Sequence, residues 1–580
     1  MPSEVLDVLI ALEADSDALA IGDTWRKWVI YRDNKIEEWK EQRNYIFATD
    51  TRTTSNQKLP WANSTTTPKI TQIRDNLHAN YFAAIFPTSK WHKWEGDDRQ
   101  SDTQSKREVI QAYVETKAKQ GGFVDTMSRL ILDWIDTGNA FGTVDPIIDF
   151  IDGEDGDLIT KFVGPKLRRI SPYDIVFNPL SDSFENAPKI VKELVSVGDL
   201  KKKIDQDPAN EWMAGAFEKM QSVRGSVTSQ DAELAKADGF IADGFSSLIN
   251  YYESGSVELL HYFGDLYNHN TDELQLNRII TIADRSRVLR NIPNPSWLGA
   301  AAIRHTGWRQ RPDNLYGMGP LENLVGLQYR IDHLENLKAD VWDRIAYPQI
   351  VIQGDVQEFG DDLGERIYAG EEGRVSYLVP DATALNADLQ IKDLADKMEE
   401  LAGAPRSAMG IRTPGEKTAF EFAGLQRAGN RIFEHKAYHF ERTFLEPLLN
   451  DMLEVGRRNL DDSDLIRLVD DDTGIAIFKS ITREDITARG KLRPVGSRHF
   501  AERAVRLQNI QNVVQLKQDP TIGVHISGKE LARVLSLELD EPDLFSDNVA
   551  IFEQQETQRL VGEAEVQMEE EEQVAIEEGI

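Results

Sequence analysis

The sequence contains no cysteine, which removes disulfide frameworks, thiolate nucleophiles and Cys-ligated zinc together and suits assembly in a cytoplasm. It also lacks long apolar runs. Residues 298–303 are among the longest candidates, far short of the ~20 residues that span a bilayer. Basic residues are missing from the start: MPSEVLDVLIALEADSD carries acids where a secretory signal would carry Lys or Arg. The expectation is a chain addressed neither to a membrane nor for export. Positive charge is scarce throughout, with 66 basic against 98 acidic residues and a net charge of −32. Such a surface repels nucleic acid over most of its area instead of gripping it, although acidity of this kind also serves plain solubility.

What is present is ordinary for folded protein. An apolar fraction of 40% and a charged fraction of 28% exclude collagenous, disordered and membrane-embedded classes for most of the length. At 580 residues the chain exceeds what one core usually supports, so several packed regions are expected. Thr24 can cap a helix carrying Trp25, Trp28, Val29, Ile36 and Trp39 near helical spacing. Thr67 and Pro68 supply a cap and an N1 proline for a second helix, whose face is Ile70, Ile73, Leu77, Tyr81 and Ile85. A third runs over residues 105–135 and is interrupted at Gly121 and Gly122. From Phe141 to Thr306 the period shortens to that of strands. Residues 147–151 and 158–163 flank a Gly/Asp-rich turn, residues 257–266 and 274–282 flank another, and Pro293 closes the run. Helix and loop are expected over residues 221–254 between them.

From Pro320 the signal is strongest. Leu321, Leu324, Leu327, Ile331, Leu334, Leu337, Val341 and Ile345 recur at steps of three or four. They predict one helix of about 37 Å, at ~1.5 Å rise per residue, with a narrow apolar stripe and a charged opposite face. Pro348 halts it. The β-prone insert over residues 349–379 holds seven acids, Asp355, Glu358, Asp361, Asp362, Glu365, Glu371 and Glu372, against Arg366 and Arg374. A second amphipathic helix follows, with Ile391, Leu394, Met398 and Leu401 on its face. Residues 403–415 are rich in breakers; Thr413, Pro414 and Glu416 then open a helix that continues to Met452, bent at Pro447. A mostly polar segment leads to Ser497, two further helices follow, and the last eighteen residues hold eight acids and no base.

Most tempting motifs have a bland reading that fits better. Residues 410–418, GIRTPGEKT, nearly spell a phosphate loop, but Glu416 separates the glycine from Lys417 and adds a repelling carboxylate, and no strand precedes it. Residues 470–472 and 152–157 are acidic turns without calcium-loop spacing. His435 and His439 stand four apart without the Glu of a zinc-binding helix. Trp91, Trp94 and Trp308 lie among bases, as a base-stacking surface would, yet packing accounts for them more simply. No nucleophile elbow occurs. The expectation is a non-enzymatic protein without cofactor or metal.

The stretches "LYGMGPLENLVGLQYRIDHLENLKAD", "AYPQIVIQGDV" and "GEKTAFEFAGLQRAGNRIFEHKAYHFERTFLEPLLNDMLE" resemble, in that order, the first stem helix, the start of the clip and the long helix after the tunnel loop of tailed-bacteriophage portal proteins, the head–tail connectors. The segment "RRISPYDIVFNPLSDSFENAPKIVKELVSVGDLKKKI" is similar to the family's β-rich wing, and residues 498–516 to the start of its crown. The likeness lies in the order of elements more than in any invariant short motif. It implies an α+β, mainly helical fold: wing over 1–299, wing end and first stem helix over 300–346, clip over 347–381, second stem helix over 382–402. Tunnel loop (403–417), long wing helix and return segment (418–497), crown (498–562) and acidic tail (563–580) complete it.

The resemblance further implies a homo-oligomeric ring, twelve subunits in the family, at the unique capsid vertex of the virion, assembled in the host cytoplasm. Double-stranded DNA would pass through it without sequence specificity during packaging and ejection. The implied partners are the terminase packaging motor, a tail adaptor and the major capsid protein, with no membrane. Arg406, Arg412 and Lys417 then fall in the tunnel loop as candidate phosphate contacts, although the same bases equally suit acids on neighbouring copies. The seven acids of the insert become the docking surface, and Leu324, Leu327, Ile331, Leu334 and Val341 the stem-helix packing, with the charged side of that helix facing a wet channel. The rivals are another virion scaffold or adaptor, and a DNA-translocating ATPase, which would need the phosphate loop that Glu416 breaks.

Overall fold

A computed structural model describes residues 15–48, 63–87, 91–97, 104–152, 158–205, 211–221, 256–269, 271–297, 303–354, 356–358, 368–369, 372–378, 386–403, 432–460, 464–469 and 476–496. Residues up to Pro494 make one compact unit and the chain from Val495 a second. The expected crown and acidic tail lie outside the described residues, as does nearly all of 221–254.

The fold is mixed α and β. Helix α1 (Ser16–Ile46) is continuous over 31 residues. Thr24 does not cap it as expected: the helix begins two turns earlier, and Thr24 Oγ1 donates to Ala20 O inside it at 2.8 Å. The inner face of α1 serves three separate cores. Ala18, Ile21 and Trp25 lie in one, Ile36 and Trp39 in a second, Tyr45 and Ile46 in the third. Helix α2 (Lys69–Ile85) buries Ile70, Ile73, Leu77, Tyr81 and Ile85, the face its spacing predicts. Strand β1 spans His92–Gly96, and the third predicted helix is indeed split, into α3 (Gln104–Gln120) and α4 (Phe123–Asp136). Gly122 takes φ +63° at the break.

Two antiparallel sheets follow. Strand β2 (Asn139–Asp152) is central to a three-stranded sheet, between β3 (Leu158–Ile170) and β9 (Ile303–Gly307). The second sheet has the order β4 (Ile175–Phe177), β5 (Lys189–Ser196), β6 (Ser256–Asn268), β7 (Glu273–Ala283), β8 (Arg287–Pro293). One face of the larger sheet packs on the first turns of α1. The other packs on α5 (Val197–Asp205) and α6 (Ala216–Gln221).

Helix α7 spans Val325–Ala346 after a single 3-10 turn at Glu322–Leu324. Beyond it come β10 (Gln349–Gln353), β11 (Val356–Glu358), β12 (Tyr368–Ala369) and β13 (Arg374–Leu378), then α8 (Asp388–Ala402). Gly403 ends α8 with φ +74°, receiving the left-handed turn that favours glycine.

Residues 432–440 are helical and run through a π turn, Glu441–Leu445, into α9 (Glu446–Asn459). The sequence predicts a bend at Pro447. Instead, Glu446 N reaches back five residues to Glu441 O just before the proline. Pro447 offers no N–H to the carbonyl four residues earlier, and the wider turn absorbs that loss. The buried face, Phe440, Phe444, Leu448, Leu449, Met452 and Leu453, joins the largest core. The polar return segment holds three strands that its composition hides: β14 (Asp464–Val469), β15 (Ala476–Ile481) and β16 (Gly490–Pro494), the last paired with β1. Asn450 fixes α9 to β16 by holding both Leu492 O, at 3.0 Å, and Leu492 N, at 2.9 Å.

Candidate functional site

The candidate site is the helix–ribbon–helix formed by α7, the strands β10 to β13, and α8. Its base is set by an intimate backbone junction. Gly317 and Gly319 of "LYGMGP" lie against Gly138, so closely that a Cβ on Gly317 would collide with Gly138 O and one on Gly138 with Gly319 N. Asn139 completes the junction: its Oδ1 accepts from Gly317 N at 2.7 Å and its Nδ2 donates to Gly317 O at 3.1 Å. Next to it Trp308 is buried edge-on to Tyr81 and against Trp134, which confirms the packing reading of that tryptophan. These contacts aim the chain into α7.

Helix α7 is covered along two faces. Leu324, Ile331, Leu334 and Val341 are buried within the chain itself and Leu327 is half-buried, so this stripe is covered before any second copy arrives. Ile391 and Leu394 of α8 pack on the same core, with Met398 inside it. Leu401, expected on that inner face, is exposed.

The second face carries a polar row, Gln328, Asp332 and Asn336, whose members are buried and grip the segment that precedes α2. Thr65 N donates to Asn336 Oδ1 at 2.8 Å, and Asn336 Nδ2 returns a bond to Thr65 O at 2.8 Å. Thr67 N donates to Asp332 Oδ1 at 2.9 Å, and Gln328 Nε2 donates to Thr67 O at 2.5 Å. Asn63 N reaches Asp340 Oδ1 at 2.7 Å, one turn further on. The match is geometric. Four helical residues rise ~6 Å, and two extended residues advance ~6.6 Å, so every fourth side chain of α7 meets every second peptide of the strap. Burial raises the Asp332 carboxyl to about 6, against the pull of the Thr67 amide and Gln328. Its Oδ2 has no hydrogen-bond partner. Side-chain periodicity could have flagged 328, 332, 336 and 340 as a row, but nothing in the sequence says what the row holds.

Elsewhere around α7 single apolar side chains are uncovered. Tyr329 and Leu337 are exposed on α7, as are Trp342 near its end and Tyr347 just beyond, the last at 86%. The ribbon beyond it carries exposed apolar side chains of its own. In the β10–β13 pair, Ile350 stands opposite Tyr377 and Ile352 opposite Val375, four apolar side chains on one face; Ile352 and Tyr377 are about half exposed, at 48% and 55%. Across the base, Lys338 meets Asp388 at 2.6 Å and Lys69 meets Glu399 at 2.5 Å, tying α7 and α2 to α8.

Of the acids predicted to form a docking surface, Glu372 is exposed and Glu358 lies in β11. Asp355, Asp361, Asp362, Glu365 and Glu371 lie outside the described residues, as do Arg406, Arg412, Lys417 and the phosphate-loop-like stretch 410–418.

One constellation outside this region has the look of catalytic machinery. His261 sits between Glu193 Oε2, at 2.9 Å, and Thr281 Oγ1, at 3.0 Å. Thr281 is wholly buried and also receives Arg290 Nε at 3.3 Å, so its hydroxyl has no path to a substrate. Burial lowers the His261 pKa while Glu193 opposes the shift, and the trio ties β5, β6 and β7 together. Among the described residues no group of three His, Asp or Glu could hold a metal ion, and no helix is long and apolar enough to cross a membrane. No protein-family model matches the chain, and no curated protein matches it.

Proposed function

We propose that the chain is a portal subunit of a tailed bacteriophage, one member of a ring at the capsid vertex that conducts double-stranded DNA during packaging and ejection. The observation that carries this reading is the helix–ribbon–helix with an uncovered apolar face. A two-stranded ribbon is at best marginal in water on its own, and here four apolar side chains stand on one side of it. A neighbouring copy supplies the missing cover. A contact of this head-to-tail kind closes into a ring when the rotation between copies closes.

The reading is non-enzymatic. Work would be done by a separate terminase motor that docks on the clip and later gives way to a tail adaptor, while the wing contacts the major capsid protein. The net charge of −32 suits a conduit. Attraction to phosphates would brake a moving duplex, whereas repulsion screened over ~10 Å at 0.1 M salt leaves it free to slide. Arg406, Arg412 and Lys417 are proposed as the few cations that touch it.

Electron microscopy of the purified full chain tests the proposal. Closed rings, twelve-fold by the family resemblance, with an open axial hole are expected. A population of monomers that turns over nucleotide would defeat the reading in favour of a translocating ATPase.

A further inference from the structure

The hairpin of β6 and β7 has two faces near its tip. Leu266 and Asn268 are buried on the side of α1: Leu266 joins the core of Ala18, Ile21 and Trp25, and Asn268 Nδ2 donates to Asp17 Oδ1 at 2.6 Å. Gln275, opposite Leu266, donates to Asp17 Oδ2 at 3.1 Å. Side chains alternate along a strand, so Tyr267 and its cross-strand partner Leu274 stand on the other face, and both are exposed, at 45% and 61%. Leu276, two residues along β7, is exposed at 64%. Tyr267 is fixed in place, since its Oη donates to Asp272 Oδ1 at 2.5 Å and its ring meets His269 edge-on at 4.7 Å. Two leucines beside a held tyrosine ring make a small apolar surface that water disfavours.

The chain able to cover it arrives next to it. Asp15 N donates to Ser286 O at 2.9 Å, and Ser16 Oγ accepts from Asn268 Nδ2 at 2.9 Å, so α1 begins against the reverse side of this same tip. Residues 1–14 lie outside the described residues, and their sequence carries an apolar stretch from Val5 to Leu12 broken only by Asp7. Val5, Val8, Leu9 and Leu12 have the i, i+3, i+4, i+7 spacing of one helical side. The four links from Leu12 to Ser16 reach up to ~14 Å, enough to pass round the end of a sheet layer, whose spacing is ~10 Å. A segment tethered this closely meets its site at an effective concentration of about millimolar. Three side chains, by contrast, fall well short of the ~1,000 Å² that a stable contact between separate copies needs.

We infer that residues 5–12 of this chain dock on the outer face of the β6–β7 tip and close over Tyr267, Leu274 and Leu276. The inference is independent of ring formation. Amide hydrogen exchange of the full chain tests it. In the unaltered chain the amides of residues 5–12 should exchange about tenfold or more slower than in the double variant Leu274→Asp, Leu276→Asp, because one buried leucine is worth at least that factor in a local opening equilibrium. Both substitutions fall on exposed side chains, so the packed cores are untouched; should that variant misfold, Val5→Asp with Leu9→Asp makes the same comparison from the segment's side. The protection should persist in monomers of Ile352→Glu. Equal exchange in the unaltered and altered chains would overturn the inference, and so would protection that vanishes in those monomers, which would make the occupant a second copy.

Discussion

Thr67 and Asp332, 265 positions apart in sequence, are joined by a bond from main chain to side chain, Thr67 N to Asp332 Oδ1 at 2.9 Å. With its companion at Thr65 it makes this part of α7 a reader of backbone, since Thr65 and Thr67 are themselves exposed, whereas Asn63 is held through its side chain too, its Nδ2 donating to Asp340 Oδ1 at 2.9 Å and to Asp343 Oδ2 at 2.8 Å.

Substitutions in the strap should therefore sort by whether they keep the amide. Thr65→Val should leave stability within about 0.5 kcal/mol, as surface changes do. Thr65→Pro removes the donor to Asn336 and should cost about 1–3 kcal/mol, the usual penalty for stranding a buried polar group. Chemical denaturation of both variants and of Asn336→Ala measures this. The effects of Thr65→Pro and Asn336→Ala should fall short of additive, and full additivity would mean that the two do not act on one bond.

Asp332 should make stability depend on pH. Its folded pKa of about 6 lies above the usual 3.8, so the folded state holds the proton more tightly than the unfolded one. The associated stability is complete below about pH 4 and lost as pH rises through about 6. Asp332→Asn should be neutral in acid and stabilising by about 2–3 kcal/mol above pH 7. Thermal unfolding from pH 4 to 8 checks it, and a pH-independent difference between the two proteins would refute the buried-charge account.

On the proposed function, charge placed on the exposed ribbon should give an assembly defect without a folding defect. Ile352→Glu and Tyr377→Glu place charge on side chains already half in water, so the monomer should keep its circular dichroism and melting temperature. If copies assemble through this ribbon, as the proposed function requires, sedimentation should show any large species formed by the unaltered chain replaced by monomer, because burying an unpaired carboxylate at a contact is prohibitive.

Gly317→Ala should be more damaging than Gly122→Ala. The first puts a methyl group into the backbone of Gly138 and should cost about 3 kcal/mol or more. The second meets nothing within 4 Å and carries only the strain of φ +63°, about 1–2 kcal/mol. Equal losses would show that the junction is looser than its contacts imply.

If the chain is a portal, replacing both Arg406 and Arg412 with Glu should shorten or destabilise the packaged genome while rings still form. Normal packaged length in the double variant would count against their placement beside DNA.

Local chemistry made much of this fold legible. Ile70, Ile73, Leu77, Tyr81 and Ile85 announced α2, Gly121 and Gly122 the break between α3 and α4, and the turn residues near 268–272 the β6–β7 hairpin. What stayed hidden depended on distant partners. β16 is polar because only Leu492 of its inner face is buried, and it exists through pairing with β1 nearly four hundred residues away. The role of Gln328, Asp332 and Asn336 was hidden because polar side chains that hold a backbone cannot be told, in one dimension, from those that hold water. The exposure of Leu401 arises likewise, since amphipathic spacing gives the direction of a side chain but not where its neighbours end.

The π turn at Glu441–Leu445 sets the phase of everything after it. An ordinary helix spans this turn with one residue fewer, so straightening it with all its residues kept would rotate α9 by about 100°. Leu448 and Met452 would swing out of the core, Asn450 would lose Leu492, and Asp451 would leave Arg304, which it now holds at 2.7 Å. A lineage descended from this chain that loses one residue ahead of Pro447 must therefore lose the wide turn with it if α9 is to stay seated.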